Sequence, residues 1–265
     1  MVWLARLNLC FRAGPNDNSM DWHRRYLQQA SWTRDLRDYL LKESGLSDAR
    51  RVLEVGCGTG AILQDVAQIA PGPRLHGLDV DAKSLLQARL HAPSTHLCQG
   101  DAHALPYPDG RFDITYCHFV LLWLDDPVHA LQEMRRVTRS RGHVLAIAEP
   151  DYTARVDRPG DLALLGRMQE RSLQRQGADT SIGSRLAALF HASGMKIVEA
   201  GTMKPQAHSG LVDEEFENEW AVLREDLKGM LAVSELDQMM KVDADARRSG
   251  AAAPHVPTYF AHAQV

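Results

Sequence analysis

Three glycines at alternate positions, Gly56, Gly58 and Gly60, follow directly on the run Val52-Leu53-Glu54-Val55, and they constrain this chain more than any other feature. Arg51 to Val55 reads as a short strand. Beyond the glycines Ile62, Leu63, Val66 and Ile69 recur at helical spacing until Pro71-Gly72-Pro73 stops them. Glycines between a strand and a helix let the backbone turn tightly and approach a ligand with no Cβ in the way. The helix N-terminus then aims free N–H groups and a partial positive charge at an anionic group. Alone, such a turn has two readings: a nucleotide site, or simply a tight turn.

The alternation continues downstream. Arg74 to Leu78 reads as a second strand, and Asp81 as the cap of a helix carrying Leu85, Leu86 and Leu90. A short third strand is expected near Thr95 to Cys98 and a fourth at Phe112 to Cys117. Asp126-Pro127 opens a helix whose face is Val128, Leu131, Met134 and Val137, and His143 to Ala148 is the fifth strand. Strands and helices alternating from 51 to 148 predict an α/β fold, a parallel sheet with helices on both faces. Upstream, residues 20–42 read as one helix, with Trp22, Tyr26, Ala30, Leu36, Leu40 and Leu41 at roughly helical period and Thr33 and Arg37 on the same side. Downstream, helices are expected at 160–176, 181–192, 213–229 and 234–248, and strands at Lys196 to Glu199 and Tyr259 to Val265.

Two acids sharpen the site. Asp79, with Val80 beside it, ends the second strand 19 residues after Gly60. There a carboxylate accepts hydrogen bonds from ribose hydroxyls at the carboxyl edge of the sheet. Glu54 lies inside the first strand, where a buried carboxylate needs partners. The loop amides, or the amino end of a cationic ligand, would supply them.

With these residues in view the chain resembles the class I S-adenosylmethionine-dependent methyltransferases, in their type 11/25-like small-molecule branch. Val52 to Gly60 matches the first motif, Asp79 the ribose-binding acid, Gly100-Asp101-Ala102 the adenine segment and Phe112-Asp113-Ile114 the fourth-strand motif. The resemblance covers about residues 50–150. It implies a Rossmann-like, seven-stranded, mostly parallel sheet whose last strand inserts antiparallel between strands five and six, with helical lid insertions in the C-terminal half. It implies S-adenosylmethionine as cofactor, held by Glu54, Gly56, Cys57, Gly58, Gly60, Asp79 and Val80. Asp101 would accept from the adenine amine and the Ala102 amide would face the ring. Tyr26 on the first helix would meet the methionine carboxylate, and His118 would line the pocket. Residues 20–265 are then one domain, with a cofactor core at about 50–150 and substrate or lid segments at about 151–192 and 208–253. Residues 1–19 read as a loosely ordered extension.

Methyl transfer asks the protein mainly for positioning and exclusion of water. If a general base is used, His118 and Glu149 are the candidates, with Asp151 nearby. The plain alternatives are a satisfied histidine for His118, a loop-stabilising carboxylate for Glu149, a helix cap for Asp81 and filler for Cys57. Trp22, Arg25, Tyr26 and Trp32 either cover the cofactor or pack on the sheet. Met230, Met239 and Met240 either line an acceptor pocket or fill a core.

Composition bears on the rivals. A net charge of −4 over 265 residues disfavours a nucleic-acid partner, and Arg135, Arg136, Arg139 and Arg141 read as a solvated helix end. Four cysteines without CxxC spacing point to a reducing cytoplasm, and no metal site is expected. No apolar run reaches the ~18–20 residues of a membrane span. A nicotinamide dehydrogenase is one alternative, since Gly56 to Ala61 satisfies a loose G-x-G-x-x-A. It requires neither Glu54 nor Gly100-Asp101. Tyr116-Cys117-His118-Phe119 stands where a nucleic-acid amine methyltransferase would carry its Pro-Pro-aromatic. A cofactor-binding partner without catalysis is the third alternative. The acceptor atom and the oligomeric state stay open.

Overall fold

The structure is a computed structural model that describes residues 22–203, 214–249 and 254–265. The extension expected at 1–19 lies outside them. The described residues fall into two compact units. One holds residues 22–149, 182–203 and 258–265, and the other residues 150–181 and the described parts of 204–257.

The first unit is built on a seven-stranded sheet in the order β3-β2-β1-β4-β5-β7-β6. Its strands are β1 (Arg51–Val55), β2 (Arg74–Asp79), β3 (His96–Gln99), β4 (Phe112–Cys117), β5 (Thr138–Pro150), β6 (Lys196–Thr202) and β7 (Thr258–Gln264). β1 pairs in parallel with β2 and β4, β2 with β3, and β4 with β5; β6 and β7 are antiparallel. Central strands of such a sheet are covered on both faces, so Val52 to Val55 and Val144 to Ala148 are buried without alternation. Strand order reverses at β1, because α3 (Ala61–Ile69) leads to β2 on one side while β4 lies on the other. Right-handed crossovers therefore place α3 and α4 (Ala82–His91) on one face and α5 (Pro127–Val137) on the other. The crevice of such a sheet lies outside the carboxyl ends of the strands at that reversal, where the glycine loop sits.

The α/β class, the seven strands and the inserted β7 agree with the sequence reading, and three local features differ. The single helix expected over 20–42 is two, α1 (Trp22–Trp32) and α2 (Arg34–Glu43), broken at Thr33. The Ala30 carbonyl there accepts from the Thr33 hydroxyl (3.2 Å) and the Arg37 guanidinium (2.9 Å), so side chains take over the helix ladder. β5 begins at Thr138, not His143, through an irregular stretch. Arg141 there has φ +60°, and a Cβ on Gly142 would lie 2.7 Å from the Asp113 carbonyl. α7 (Ile182–Ala192), grouped by sequence with the lid segments, packs instead on α5, β6 and β7.

The second unit contains α6 (Ala163–Arg175), α8 (Glu214–Asp226) and α9 (Val233–Arg248) around a core of Leu162, Leu165, Phe216, Trp220, Leu227, Leu236 and Ala244. Met230, Met239 and Met240 pack against that core. Trp220 Nε1 donates to Asp243 (2.9 Å), and Arg247 bridges Asp243 and Glu219 (3.2 and 2.7 Å) over the Phe216 ring. No helix among the described residues is long and apolar enough to cross a membrane.

The β5–β7 seam carries a buried histidine pair. His143 Nδ1 hydrogen-bonds His262 Nε2 at 2.8 Å, and the Ser44 hydroxyl lies 3.3 Å from the same nitrogen. Burial pushes His262 down to about 4 and lowers His143 as well. Both folded values lie below the unfolded one of about 6.5, so the unfolded chain takes up protons first as pH falls. The stability they contribute is intact above about pH 6.5 and is lost down to about pH 4. Urea midpoints measured from pH 7 to 4.5 are expected to fall, and less steeply in His262→Gln.

Candidate functional site

The loop after β1 is fastened to the tip of β2. The Gly56 and Cys57 amides both donate to the Leu78 carbonyl (2.7 and 3.0 Å), and the Gly60 amide returns to Cys57 (2.9 Å). Asp79 completes the fastening: Oδ2 accepts from the Gly58 amide at 2.7 Å and Oδ1 from the Asp81 amide at 2.9 Å. Glycine is required at Gly60 because φ is +82° and a Cβ would meet the Ala88 Cα of α4 at 3.1 Å. At Gly56, φ is +73° and a Cβ would strike Val120 at 2.4 Å. The loop is thus glycine-rich because the protein itself closes on it, an explanation independent of any ligand.

Helix α1 covers the loop. The Tyr26 ring lies over Gly58, and His23 hydrogen-bonds the Thr59 hydroxyl (2.8 Å) while stacking on His91 at 3.4 Å. Burial, with Asp79 and Asp81 nearby, raises the Tyr26 phenol well above its usual range. Val80 leaves an exposed apolar side chain beside Asp79. The Gly100 amide donates to the Asp79 carbonyl (3.0 Å), which brings Asp101 alongside. Asp101 Oδ1 accepts from the His103 amide and ring Nδ1 (2.9 and 2.8 Å), and Ala102 is buried behind it.

Beneath the loop, Glu54 is buried and accepts from the Tyr116 hydroxyl at 3.0 Å. Burial pushes its carboxyl up to about 8, against the opposing pull of Tyr116 and Arg37, while Asp79 pushes it further up. Arg37 is itself buried and bound to Asp65 (2.8 Å). The polar groups here are therefore acidic: Glu54 beneath the loop, Asp79 against it and Asp101 next to Gly100, whose amide bonds Asp79. A carboxylate has about four acceptor sites, so Asp79 keeps acceptor capacity beyond the backbone amides it serves. This set fits a ligand with a cationic end and hydroxyl or amine donors, the chemistry of S-adenosylmethionine.

Comparison with known proteins agrees. A profile described as a methyltransferase domain matches residues 53–146. The chain is 36% identical over 122 residues to a malonyl-[acyl-carrier protein] O-methyltransferase of Erwinia pyrifoliae, covering 46% of each. It is 33% identical over 113 residues to a ubiquinone biosynthesis O-methyltransferase of Sodalis glossinidius, covering 40% of this chain and 44% of that one. The chain spans about half the length of the curated relatives it matches. Among solved structures it resembles a putative sarcosine dimethylglycine methyltransferase from Galdieria sulphuraria, with TM-score 0.56, 14% identity and coverage of 88% and 84%. The [4+2]-cyclase SpnF gives TM-score 0.57 at 20% identity, covering 94% and 84%. Residues 53–146 are a methyltransferase domain. The fold is that of the class I S-adenosylmethionine-dependent methyltransferases.

Within this methyltransferase domain the two base candidates have other partners. Glu149 is buried and accepts from the amides of Val120, Leu121 and Leu122 (3.0, 3.1 and 3.3 Å), which fixes the turn after β4. Burial pushes it up to about 7 even so. His118 Nε2 meets the Thr33 hydroxyl at 2.9 Å. The same hydroxyl lies 3.2 Å from the Ala30 carbonyl. Burial and Arg37 push His118 down to about 3, too weak a base for proton abstraction near neutral pH. Cys57 is buried with its thiol pushed up by burial, as filler would be. Asp81 caps α4 through the Lys83 and Ser84 amides.

Sequence reading missed His23, Thr59 and Tyr116. Their partners lie on other elements, so no local pattern marks them; only the register pairing Glu54 with Tyr116 does. Gly60→Ala is expected to cost about 1–3 kcal/mol, through strain at positive φ and the clash with α4. Urea denaturation beside the unaltered chain measures it.

Proposed function

We propose that this chain is an S-adenosylmethionine-dependent methyltransferase acting on a small-molecule acceptor. The observation that carries the reading is the pair of buried carboxylates, Glu54 and Asp79, at the loop between β1 and α3. Asp79 holds the loop amides in place and offers its remaining acceptor sites to a ribose diol. Glu54 faces the cationic amino end, Asp101 takes the adenine amine through its second oxygen, and Val80 and Ala102 flank the ring. Tyr26 closes the crevice above Gly58. The cofactor supplies an activated methyl group on a sulfonium with its own leaving group. The protein's task is to orient the acceptor in line and exclude water. The neutral His118 and the spent Glu149 favour a reaction in which the acceptor loses its proton to solvent.

Oxygen nucleophiles are the first acceptors to test, because the malonyl and ubiquinone-pathway relatives are named O-methyltransferases. A cytoplasmic location belongs to the same reading, with Cys57, Cys98 and Cys117 all free thiols. The alternative, cofactor binding without methyl transfer, draws support from the cyclase SpnF on the same fold. Mass spectrometry of a metabolite extract incubated with protein and methyl-labelled cofactor separates the two; labelled product is expected.

Cofactor binding should also move a proton. Glu54 at about 8 is mostly protonated at pH 7, and a cation beside it favours the carboxylate. Isothermal titration at pH 7 in buffers of different ionisation enthalpy is expected to show release of up to about one proton on binding. Affinity should rise toward pH 8. Glu54→Gln should remove the buffer dependence; its persistence would count against the role given to Glu54.

A further inference from the structure

The amino edge of the sheet carries charge that the glycine loop does not use. In the parallel register Arg51 of β1 lies beside Arg74 of β2, and His76 of β2 beside His96 of β3. Side chains alternate faces along a strand, so Arg74 and His76 share a face, and pairing keeps Arg51 and His96 on it. Arg111, at the entry to β4, adds a third guanidinium close enough to press on His76. The two imidazoles stack at 4.9 Å, and the Phe112 edge backs His76 at 5.1 Å.

The guanidiniums of this cluster, Arg51, Arg74 and Arg111, have no ion-pair partner of their own among the described residues. Asp113 of β4 is engaged elsewhere: Oδ1 is on Arg139 at 2.7 Å and Oδ2 on the Arg50 and Arg51 amides at 2.8 Å. Arg51 Nε is buried with no hydrogen-bond partner. The basic run picked out by sequence is different in kind, since Arg136 is fully engaged by Glu133, Asp109 and two carbonyls. Guanidiniums gathered on one face repel each other and leave forked donors open, the geometry that phosphate oxygens satisfy.

We propose that this edge binds a small phosphate-class oxyanion, free or as the terminal group of a metabolite, with Arg51, Arg74 and Arg111 around it and His76 and His96 beside it. It stands at the far end of β1 from the glycine loop, about 13 Å away at strand rise. It therefore does not rest on the methyltransferase reading.

His76 is the built-in reporter. Burial first, then His96, Arg111, Arg51 and Arg74, hold it down to about 4. A bound oxyanion cancels the repulsion and raises that value. The test follows the His76 ring signal by NMR through a pH titration, with the signal assigned from His76→Gln. Phosphate replaces chloride at constant ionic strength. A rise of about one unit is expected in phosphate, with a higher Tm by mass action. In Arg74→Gln/Arg111→Gln the value should already be raised without phosphate and should not move when phosphate is added. If the double variant does not fold, Arg74→Gln alone, at an exposed position, should show a reduced shift. Glycerol phosphate binding more tightly than inorganic phosphate assigns a metabolite; equal binding assigns the free anion. No movement of His76 in phosphate, the same movement in chloride, or undiminished binding by the double variant overturns the proposal.

Discussion

One carboxylate holds the functional end of this molecule together. Asp79 bonds the Gly58 amide with one oxygen and the Asp81 amide with the other, so it fixes both the loop leaving β1 and the turn leaving β2. Charge-assisted bonds of this kind are roughly twice as strong as neutral ones, and here they are buried. They pull the loop against the Leu78 carbonyl, set Gly60 against α4 and start α3 where its first N–H groups face the crevice. The reversal of strand order puts that crevice at the carboxyl edge, and Asp79 gives it a fixed wall.

Beneath that wall lies a polar layer that would be costly if its members were unpaired. Tyr116 serves Glu54, Asp65 serves Arg37, Thr33 serves His118, and the Ala30 carbonyl joins Thr33 to Arg37. The break between α1 and α2 belongs to this layer, because the carbonyl freed there is the one that Arg37 and Thr33 use. Glu54 remains the least satisfied member, held near 8 with one hydroxyl donor. A buried carboxyl with so little help is stable as the neutral acid, and a cation beside it would favour ionisation. That asymmetry separates it from Glu149, equally buried but given three amides.

Most of the fold was legible because periodicity and punctuation act locally. β1 and β4 match residue for residue, the caps at Asp81 and Asp126 are where the sequence put them, and β7 fell within one residue. The failures share one cause. The helix break at Thr33 comes with side chains taking the Ala30 carbonyl and with Thr33 also meeting the distant His118, and the early start of β5 at Thr138 with its pairing to Phe112. The site divides the same way. Glycines and strand-end acids announce themselves, whereas Tyr116 as the partner of Glu54 and His23 as the partner of Thr59 depend on packing. The clustered arginines at 135–141 drew attention in sequence, yet Arg136 and Arg139 are paired in the fold. Arg51, Arg74 and Arg111 are scattered in sequence, and only strand register gathers them.

The two edges of the sheet thus carry opposite charge, acidic at the carboxyl ends and basic at the amino ends. Helix dipoles account for part of this. Helices of βαβ units run back against the strands, so their positive ends meet the acids and their negative ends meet the bases. The size of the effect decides how far that explanation goes. Each helix end supplies about half a charge, felt only within its last turn. α4 also carries Arg89 in its last turn. Half-charges at separate helix ends do not offset the guanidiniums of Arg51, Arg74 and Arg111. At the carboxyl edge the cationic end of the proposed cofactor would meet Asp79 and Glu54. At the amino edge the proposed oxyanion would play the corresponding part, since Asp113 at the start of β4 is already bound to Arg139.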